Sequence, residues 1–260
     1  MAGEAGPAAE LRALGVTEGM TLLVHSALGG TGLDARTLRD ALLGVLGEGG
    51  TLVVPAFTPE NSTTSAAHLR QTAGLTEDAR ARFLASMPAF DPARTPCPGM
   101  GRLAECVRLS PGAVRSSHPQ TSFAALGARA EELVKDHPAD CHLGEDSPLG
   151  RLAAAGAREL MINVGFGVCT SFHLAEYRLA EYKIPDIPTR LYRCVVGTGG
   201  RREWFEYRDI ELDDSDFELI GADFPRVSLR EGKLGNAAAM AFPIKEAVAH
   251  AMKWMTEKRR

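Results

Sequence analysis

The stretch that decides the fold is Val164-Gly-Phe-Gly-Val-Cys-Thr-Ser-Phe-His-Leu-Ala-Glu-Tyr-Arg-Leu-Ala-Glu181. It follows the apolar run Glu159-Leu-Met-Ile-Asn163, which is typical of a buried strand. Gly165 and Gly167 permit a tight turn with close backbone approach. The hydroxyl of Thr170 or Ser171 is predicted to cap the helix that follows. A strand, a glycine turn and a helix in this order indicate an α/β protein with a site at the end of the strand.

His173 and Glu176 lie on the predicted helix, three residues apart and therefore on one face. The carboxylate can hold the imidazole in one tautomer and one orientation, as a base in an active site requires. The pair therefore favours an active site. A structural histidine near a helix start remains the alternative.

The N-terminal part of the chain indicates a βαβ unit. Apolar runs at 21–25 and 51–55 are typical of buried strands, and the helical pattern of 37–46 separates them. This arrangement favours a parallel pair of strands. The turn Ser26-Ala-Leu-Gly-Gly-Thr-Gly32 lacks the lysine of a P-loop and the spacing of a dinucleotide fingerprint. It is interpreted either as a plain tight turn or as backbone amides that hold a phosphorylated or pantetheine-bearing ligand.

The remaining segments complete the predicted architecture. Residues 58–98 interrupt the βα rhythm and are predicted to form a lid-like insertion beside the site. An antiparallel hairpin is predicted for Leu191–Val196 and Arg202–Tyr207, and a helix for Met240–Met255. The expected fold is α/β, with a mixed, partly parallel central sheet flanked by helices and a C-terminal hairpin plus helix. All of it is assigned to one domain, residues 1–260.

Composition excludes several classes of protein. The 260 residues are 45% hydrophobic, enough for one large core, and the formal net charge of -4 argues against a nucleic-acid-binding protein. No apolar run is long enough to cross a membrane, and the N-terminal residues lack signal-peptide features. Five cysteines without CxxC spacing are interpreted as reduced thiols of a cytoplasmic protein, not as disulfides or a zinc site.

The acidic stretch Glu203–Asp223 carries nine acidic residues and one basic residue. A solvated acidic face is the ordinary interpretation. Long-range attraction of a polycationic ligand is the other.

Several motifs in order carry a resemblance to a known family. They are Val24-His-Ser-Ala-Leu-Gly29, Phe90-Asp-Pro-Ala-Arg-Thr-Pro96, Arg115-Ser-Ser-His-Pro-Gln-Thr-Ser-Phe-Ala-Ala-Leu-Gly127, Asp146-Ser-Pro-Leu-Gly150 and Thr170-Ser-Phe-His-Leu-Ala-Glu176. Over roughly residues 10–255 the chain resembles the aminoglycoside 3-N-acetyltransferase family of antibiotic acetyltransferases. The resemblance implies an α/β fold distinct from the GNAT acetyltransferases. It also implies acetyl-coenzyme A as donor and the 3-amino group of a 2-deoxystreptamine ring as acceptor.

The resemblance also implies roles for individual residues. His173 matches the family's catalytic histidine, Glu176 matches its carboxylate partner, and Thr170 lies near the reacting centre. The predicted coenzyme A contacts are His25, Ser26, Ala27, Leu28, Gly29, Ser116, His118, Pro119, Ser122 and Ser147. The predicted acceptor contacts are Phe57, Asp91, Glu176 and Asp213. Ser147 also fits a plain helix cap, and no metal is expected.

Direct transfer is the expected chemistry. The acceptor amine must be neutral to attack the thioester, and a histidine with an unperturbed pKa near 6.5 is a suitable base. Backbone N–H groups at the helix start, or the Thr170 hydroxyl, are the expected donors to the thioester oxygen.

Other hypotheses remain beside this one. Cys169 could form an acyl-enzyme activated by His173. His173 and Glu176 could ligate a metal, although no second paired motif accompanies them. The chain could acetylate another amine, or bind a cationic small molecule without catalysis. A monomer or a homodimer is expected.

Overall fold

The computed structural model describes residues 6–181, 187–198 and 201–259. Its helices are α1 Pro7–Ala13, α2 Ala35–Leu46, α3 Ala66–Thr72, α4 Glu77–Ser86, α5 Gly101–Arg108, α6 Ala130–Val134, α7 Pro148–Ala154, α8 Ser171–Glu181, α9 Phe217–Ala222 and α10 Ile244–Lys258. Its strands are β1 Thr21–Ser26, β2 Thr51–Pro55, β3 Val114–Arg115, β4 Phe123–Gly127, β5 Arg158–Ile162, β6 Thr189–Thr198, β7 Arg201–Ile210, β8 Arg230–Leu234 and β9 Ala237–Pro243.

The main sheet has the strand order β3-β4-β2-β1-β5-β9-β8 among the described residues. Strand β1 runs parallel to both β2 and β5. The outer pairs are antiparallel: β2 with β4, β4 with β3, β5 with β9, and β9 with β8. The predicted mixed, partly parallel sheet flanked by helices is therefore confirmed, and the βαβ unit forms its centre.

Both faces of the sheet are covered, which explains why its central strands are continuously apolar. Leu23 and Val53 point into one core, which helices α6, α7, α8 and α10 close. Their neighbours Leu22 and Leu52 point into the other core, which α1, α2 and α5 close. The site described below lies where the parallel strands of this three-layer structure end.

The hairpin β6–β7 is separate from the main sheet and pairs from Thr189↔Ile210 to Thr198↔Arg201. The segment 58–98 packs along it. Asn61 accepts a hydrogen bond from Val195 N at 3.0 Å and donates to Val195 O at 3.0 Å. Phe90 N donates to the same carbonyl at 3.0 Å. The interruption in the βα pattern is thus a folded segment with α3 and α4, attached to the hairpin.

Two sequence-based predictions in the C-terminal part need correction or fall outside the description. The helix predicted for Met240–Met255 begins only at Ile244, because residues 237–243 form β9 and pair with β5. The connection predicted at 183–188 and the hairpin turn at 197–200 lie partly outside the described residues. None of the helices in the described part of the chain combines the length and apolar character needed to span a bilayer.

Candidate active site

The candidate site lies at the carboxyl ends of the parallel strands, where β1 ends at Ser26 and β5 ends at Ile162. Loops after parallel strands meet at one edge of a sheet and commonly bind ligands there. Asn163 follows β5 directly in a left-handed backbone conformation, with φ of 56°. Its side-chain amide donates to Ala27 O at 2.8 Å and to Gly29 O at 3.0 Å. Asn163 therefore joins the Ser26 loop to the segment that leads into α8.

His173 and Glu176 make the predicted contact on α8. His173 Nδ1 lies 2.7 Å from Glu176 Oε2, and Glu176 is fully buried. The other carboxylate oxygen accepts from Arg259 at 2.6 Å and from the Asp213 amide at 3.1 Å. A carboxylate only accepts, so Nδ1 carries the hydrogen and Nε2 keeps a free lone pair. The imidazole is thereby oriented, and the His173 side chain remains 15% exposed.

A cavity of about 410 Å³ opens beside His173. The segment 57–66 provides one side of it, with Phe57, Pro59, Ser62, Thr64, Ser65 and Ala66. The other lining residues are Met100, Gln120, Thr121, His142, Arg190, Tyr192, Leu212 and Asp214. The cavity is therefore rich in hydroxyl groups, and two histidines in its wall, His142 and His173, each have Nδ1 beside a carboxylate. Nε2 of His142 lies 2.7 Å from Gln120 Oε1 and 2.9 Å from the Tyr207 hydroxyl, whereas Nε2 of His173 makes no hydrogen bond within the described residues.

Comparison with known proteins assigns the family. Residues 23–256 match the family model described as aminoglycoside 3-N-acetyltransferase. The chain is 35% identical over 272 residues to aminoglycoside N(3)-acetyltransferase VII of Streptomyces paromomycinus, covering 96% of this chain and 90% of that protein. The chain belongs to the aminoglycoside 3-N-acetyltransferase family.

Solved structures agree with this assignment. The YokD protein of Bacillus subtilis superposes with a TM-score of 0.87 at 34% identity, covering 96% of this chain and 97% of that one. The AAC-IIIb binary complex with CoASH superposes with a TM-score of 0.83 at 27% identity, covering 97% and 95%. The acetyltransferase fold expected from the sequence is confirmed.

The acceptor contacts expected for this acetyltransferase are only partly brought together. Phe57 lines the cavity. Glu176 lies behind His173 with both oxygens occupied, so it is not available to bind a substrate. Asp91 is not among the cavity-lining residues, and its carboxylate accepts from the Ala93 amide at 2.9 Å. In the loop after β7, Asp214 lines the cavity, whereas Asp213 adjoins it.

Asp213 lies close to the His173–Glu176 pair, because its backbone amide donates to Glu176 Oε1 at 3.1 Å. Hydrogen bonding to Ser215 holds the pKa of the Asp213 carboxyl below its usual range, and the charges of Arg259 and His173 add to the effect. The carboxylate is therefore ionised near the imidazole.

Most of the acidic stretch is paired, so it is not simply a solvated acidic face. The partners are Arg193 for Glu206 and Arg190 for Glu211, each at 3.1 Å, Arg259 for Asp216 at 2.6 Å, His142 for Asp209 at 2.8 Å, and the Gly167 amide for Glu218 at 2.8 Å. Within the described residues, Asp213 and Asp214 make no ion pair, and Asp214 lines the cavity while Asp213 is its neighbour in the chain. The charge available to a cationic acceptor is concentrated there.

The predicted coenzyme A residues divide into two groups. Ser26, Ala27 and Gly29 are at least partly exposed on the loop that Asn163 supports, next to the buried His25 and Leu28. Their contact with the cofactor stays a prediction, but the position of the loop is compatible with it.

The second group is buried and bonded within the protein, and it consists of Ser116, His118, Pro119, Ser122 and Ser147. Ser116 Oγ accepts from Phe123 N at 2.9 Å, and Ser122 Oγ donates to Ala56 O at 2.8 Å. His118 Nδ1 accepts from Thr121 N at 3.0 Å, and Pro119 O accepts from Thr58 Oγ1 at 2.7 Å. Ser147 caps α7 by accepting from Leu149 N at 3.1 Å, as the plain interpretation predicted. These side chains hold the segments around the site in place.

A buried pair lies beneath the start of α8. His25 Nε2 lies 3.2 Å from Glu159 Oε1, and the Ser171 hydroxyl donates to the other oxygen of Glu159. Burial raises the pKa of Glu159 to about 7 and lowers the pKa of His25 to about 4. Ser171 is therefore bonded to β5, which fixes the first turn of α8 to the sheet.

The structure argues against Cys169 as a nucleophile. The residue is fully buried, and its Sγ lies 3.7 Å from Glu159 Oε2. Burial and the nearby carboxylate raise the pKa of the thiol well above its usual range, so the reactive thiolate is disfavoured. For the metal hypothesis, no group of three or more His, Cys, Asp or Glu suited to an ion occurs among residues 6–181, 187–198 and 201–259.

The sequence analysis missed several residues that the fold brings to the site. Arg259, Arg190 and His142 come from distant parts of the chain, and spacing alone carries no signal for such contacts. Asp214 lay inside the acidic stretch, from which the sequence analysis chose the neighbouring Asp213 instead.

Proposed function

We propose that this chain transfers the acetyl group of acetyl-coenzyme A directly to the 3-amino group of the 2-deoxystreptamine ring of an aminoglycoside. The observation that carries the proposal is the oriented His173 at the wall of a hydroxyl-lined cavity, in a chain of the aminoglycoside 3-N-acetyltransferase family. The names of its relatives, and the CoASH complex of AAC-IIIb, support both substrates.

His173 acts as the general base in this proposal. With Nδ1–H donated to Glu176, the lone pair of Nε2 accepts the proton that the acceptor nitrogen releases when it attacks the thioester. Glu176 then stabilises the imidazolium that forms. The C–N bond forms, the C–S bond breaks, and coenzyme A leaves as the thiol after protonation.

The thioester oxygen gains negative charge in the attack and needs a donor nearby. The amides of Phe172 and His173 already bond to Cys169 O and Thr170 O, each at 3.1 Å. The Thr170 hydroxyl makes no hydrogen bond within the described part of the chain. It is therefore the donor we assign to the developing oxyanion.

The acceptor occupies the cavity beside His173. Asp213 and Asp214 attract its ammonium groups, and Ser62, Thr64 and Gln120 offer hydrogen bonds to its hydroxyls. Acetyl-coenzyme A approaches over the Ser26 loop, whose glycines leave backbone groups open to the ligand. No step requires a metal. A cytoplasmic location fits the supply of acetyl-coenzyme A and stays a prediction, as does the choice between monomer and homodimer.

Release of coenzyme A thiol with a panel of aminoglycosides tests this function. His173→Ala is expected to lower turnover about 10²–10⁴-fold. Glu176→Gln is expected to lower turnover less, because Glu176 orients His173 and does not accept the proton. Cys169→Ala should retain most activity, and His250→Gln, a remote histidine that bonds to Ile220 O, should retain all of it. Near-normal turnover of a folded His173→Ala variant would refute this mechanism. Loss of acetyl transfer in Cys169→Ala would indicate the acyl-enzyme mechanism instead.

A second candidate is acetylation of an amine with fewer positive charges than a typical aminoglycoside. The observation that favours it is Arg190 in the cavity wall, a guanidinium that opposes a polycation even though Glu211 pairs with it at 3.1 Å. Comparing kcat/KM for acceptors with one to five amino groups separates the candidates. A simple cation binder would show affinity without turnover.

A further inference from the structure

Arg259 contacts the catalytic pair from a part of the chain outside the family match. It follows α10, and the family model ends at residue 256. In the fold, α10 packs along α8, and this places Arg259 beside Glu176.

The guanidinium joins three elements of the site. Its NH1 donates to Glu176 Oε1 at 2.6 Å. Its Nε and NH2 donate to the two oxygens of Asp216, at 2.7 and 2.6 Å, and NH2 also donates to Asp213 O at 2.7 Å. The side chain is only 19% exposed, and that of Glu176 is 1% exposed. Arg259 thus connects the catalytic carboxylate on α8 to the loop whose Asp214 lines the acceptor cavity.

We propose that Arg259 is a positioning residue of the acetyl-transfer site, which sets the proton affinity of His173 through Glu176 and holds the 212–216 loop against the acceptor. The proposal rests on the proposed function of His173 as the base. Lysine cannot replace arginine fully here, because one ammonium lacks the planar fork that reaches Asp216, Glu176 and the Asp213 carbonyl together.

The electrostatic effect has a definite sign. The charged groups that face His173 are Glu176 on its own helix, Asp213, Asp214 and Asp216 before α9, Arg259 after α10, and His142 and Arg190 across the cavity. Negative charge on Glu176 favours the imidazolium, and the positive charge of Arg259 opposes that effect. Loss of Arg259 should therefore make His173 easier to protonate, whereas loss of Asp216 should make it harder.

Two variants with opposite expected shifts test this. In Arg259→Gln the acid limb of kcat/KM should move to higher pH by roughly 0.5–1, and in Asp216→Asn it should move to lower pH. In Arg259→Gln the acceptor KM should also rise about 3–10-fold, because the loop is released, while the acetyl-coenzyme A KM is spared. Arg259→Lys keeps the charge, so the acid limb should stay close to that of wild type while the acceptor KM still rises. Lys258→Gln, the same loss of charge one residue earlier on an exposed side chain, is the matched control.

A readout independent of turnover completes the design. The imidazole C–H resonance of His173, assigned by its loss in His173→Ala, can be followed by NMR across pH in each full-length variant. Movement in opposite directions in Arg259→Gln and Asp216→Asn supports the proposal even if no acceptor is turned over. An unchanged titration, with only the melting temperature lowered, would overturn it. An inactive wild type would instead count against the proposed function.

Discussion

At the scale of single residues, the buried Glu159 predicts an unusual dependence of stability on pH. Its pKa in the folded chain is about 7, against 4.5 for an ordinary glutamate. Between these values the folded chain binds more protons than the unfolded chain, so stability falls as pH rises. Glutamine cannot ionise, so Glu159→Gln should gain on the order of 2 kcal/mol relative to wild type between pH 5 and pH 8.

Urea unfolding at a series of pH values measures this difference. His25, with a folded pKa of about 4, adds stability as pH rises from 4 toward 6.5. Wild type and Glu159→Gln share this contribution of His25, so it should largely cancel in the difference between their stabilities. The exposed Glu203→Gln is the control. If Glu159→Gln instead became steadily less stable than wild type with rising pH, Glu159 would have to be ionised and paired with His25.

At the scale of elements, the join between the 58–98 segment and the hairpin should control acceptor binding. Asn61 makes hydrogen bonds to both backbone groups of Val195 and is buried. Asn61→Ala leaves Val195 N without a partner, while Val195 O keeps the bond from Phe90 N, at a cost of about 1–3 kcal/mol in the free energy of unfolding. Because neighbouring Ser62 and Thr64 line the cavity, the acceptor KM should rise several-fold while the acetyl-coenzyme A KM is spared.

Steady-state kinetics with each substrate varied in turn check this expectation. Ser86→Ala, on the exposed end of α4, removes a hydroxyl from the same segment and should change neither constant. Equal effects of Asn61→Ala on both KM values would show that the segment does not distinguish acceptor from donor.

The elements also show what the sequence could and could not predict. The βαβ unit and the strand, turn and helix around His173 carry local signals in glycines and apolar runs, and these predictions are confirmed. The cap predicted for α8 is wrong, because the Ser171 hydroxyl donates to Glu159 and the Thr170 hydroxyl makes no hydrogen bond within the described residues. Met240 and Ala241 were wrongly included in the predicted helix, because methionine and alanine favour helices. Pairing with β5, where Leu160 faces Ala241, places these two residues in a strand. The Glu176–Arg259 contact spans 83 residues, and no local pattern encodes such a distance.

At the scale of the whole molecule, charge should attract the acceptor over a distance. The net charge is -4, and most carboxylates near the site are paired, which leaves Asp213 and Asp214 beside the cavity. At physiological salt, attraction between charges is screened beyond about 8 Å. The acceptor KM should therefore rise as the salt concentration increases. The double variant Asp213→Asn and Asp214→Asn should flatten this dependence.

Kinetics from low to high salt with a polyamino acceptor measure the slope. Glu203→Gln removes one charge from the exposed hairpin and should leave the slope nearly unchanged. A slope that survives the double variant would place the source of attraction elsewhere on the surface.

The hairpin β6–β7 has a consequence for how such a protein can diversify. Together with the 58–98 segment it supplies much of the cavity lining, yet it pairs with no strand of the main sheet among the described residues. The Ser26 loop and the start of α8 are instead anchored to that sheet through Asn163 and Glu159. Substitutions along the hairpin can therefore reshape the choice of amine while leaving the catalytic apparatus untouched. A protein family with this arrangement can change its antibiotic acceptor and keep the same residues for acetyl transfer.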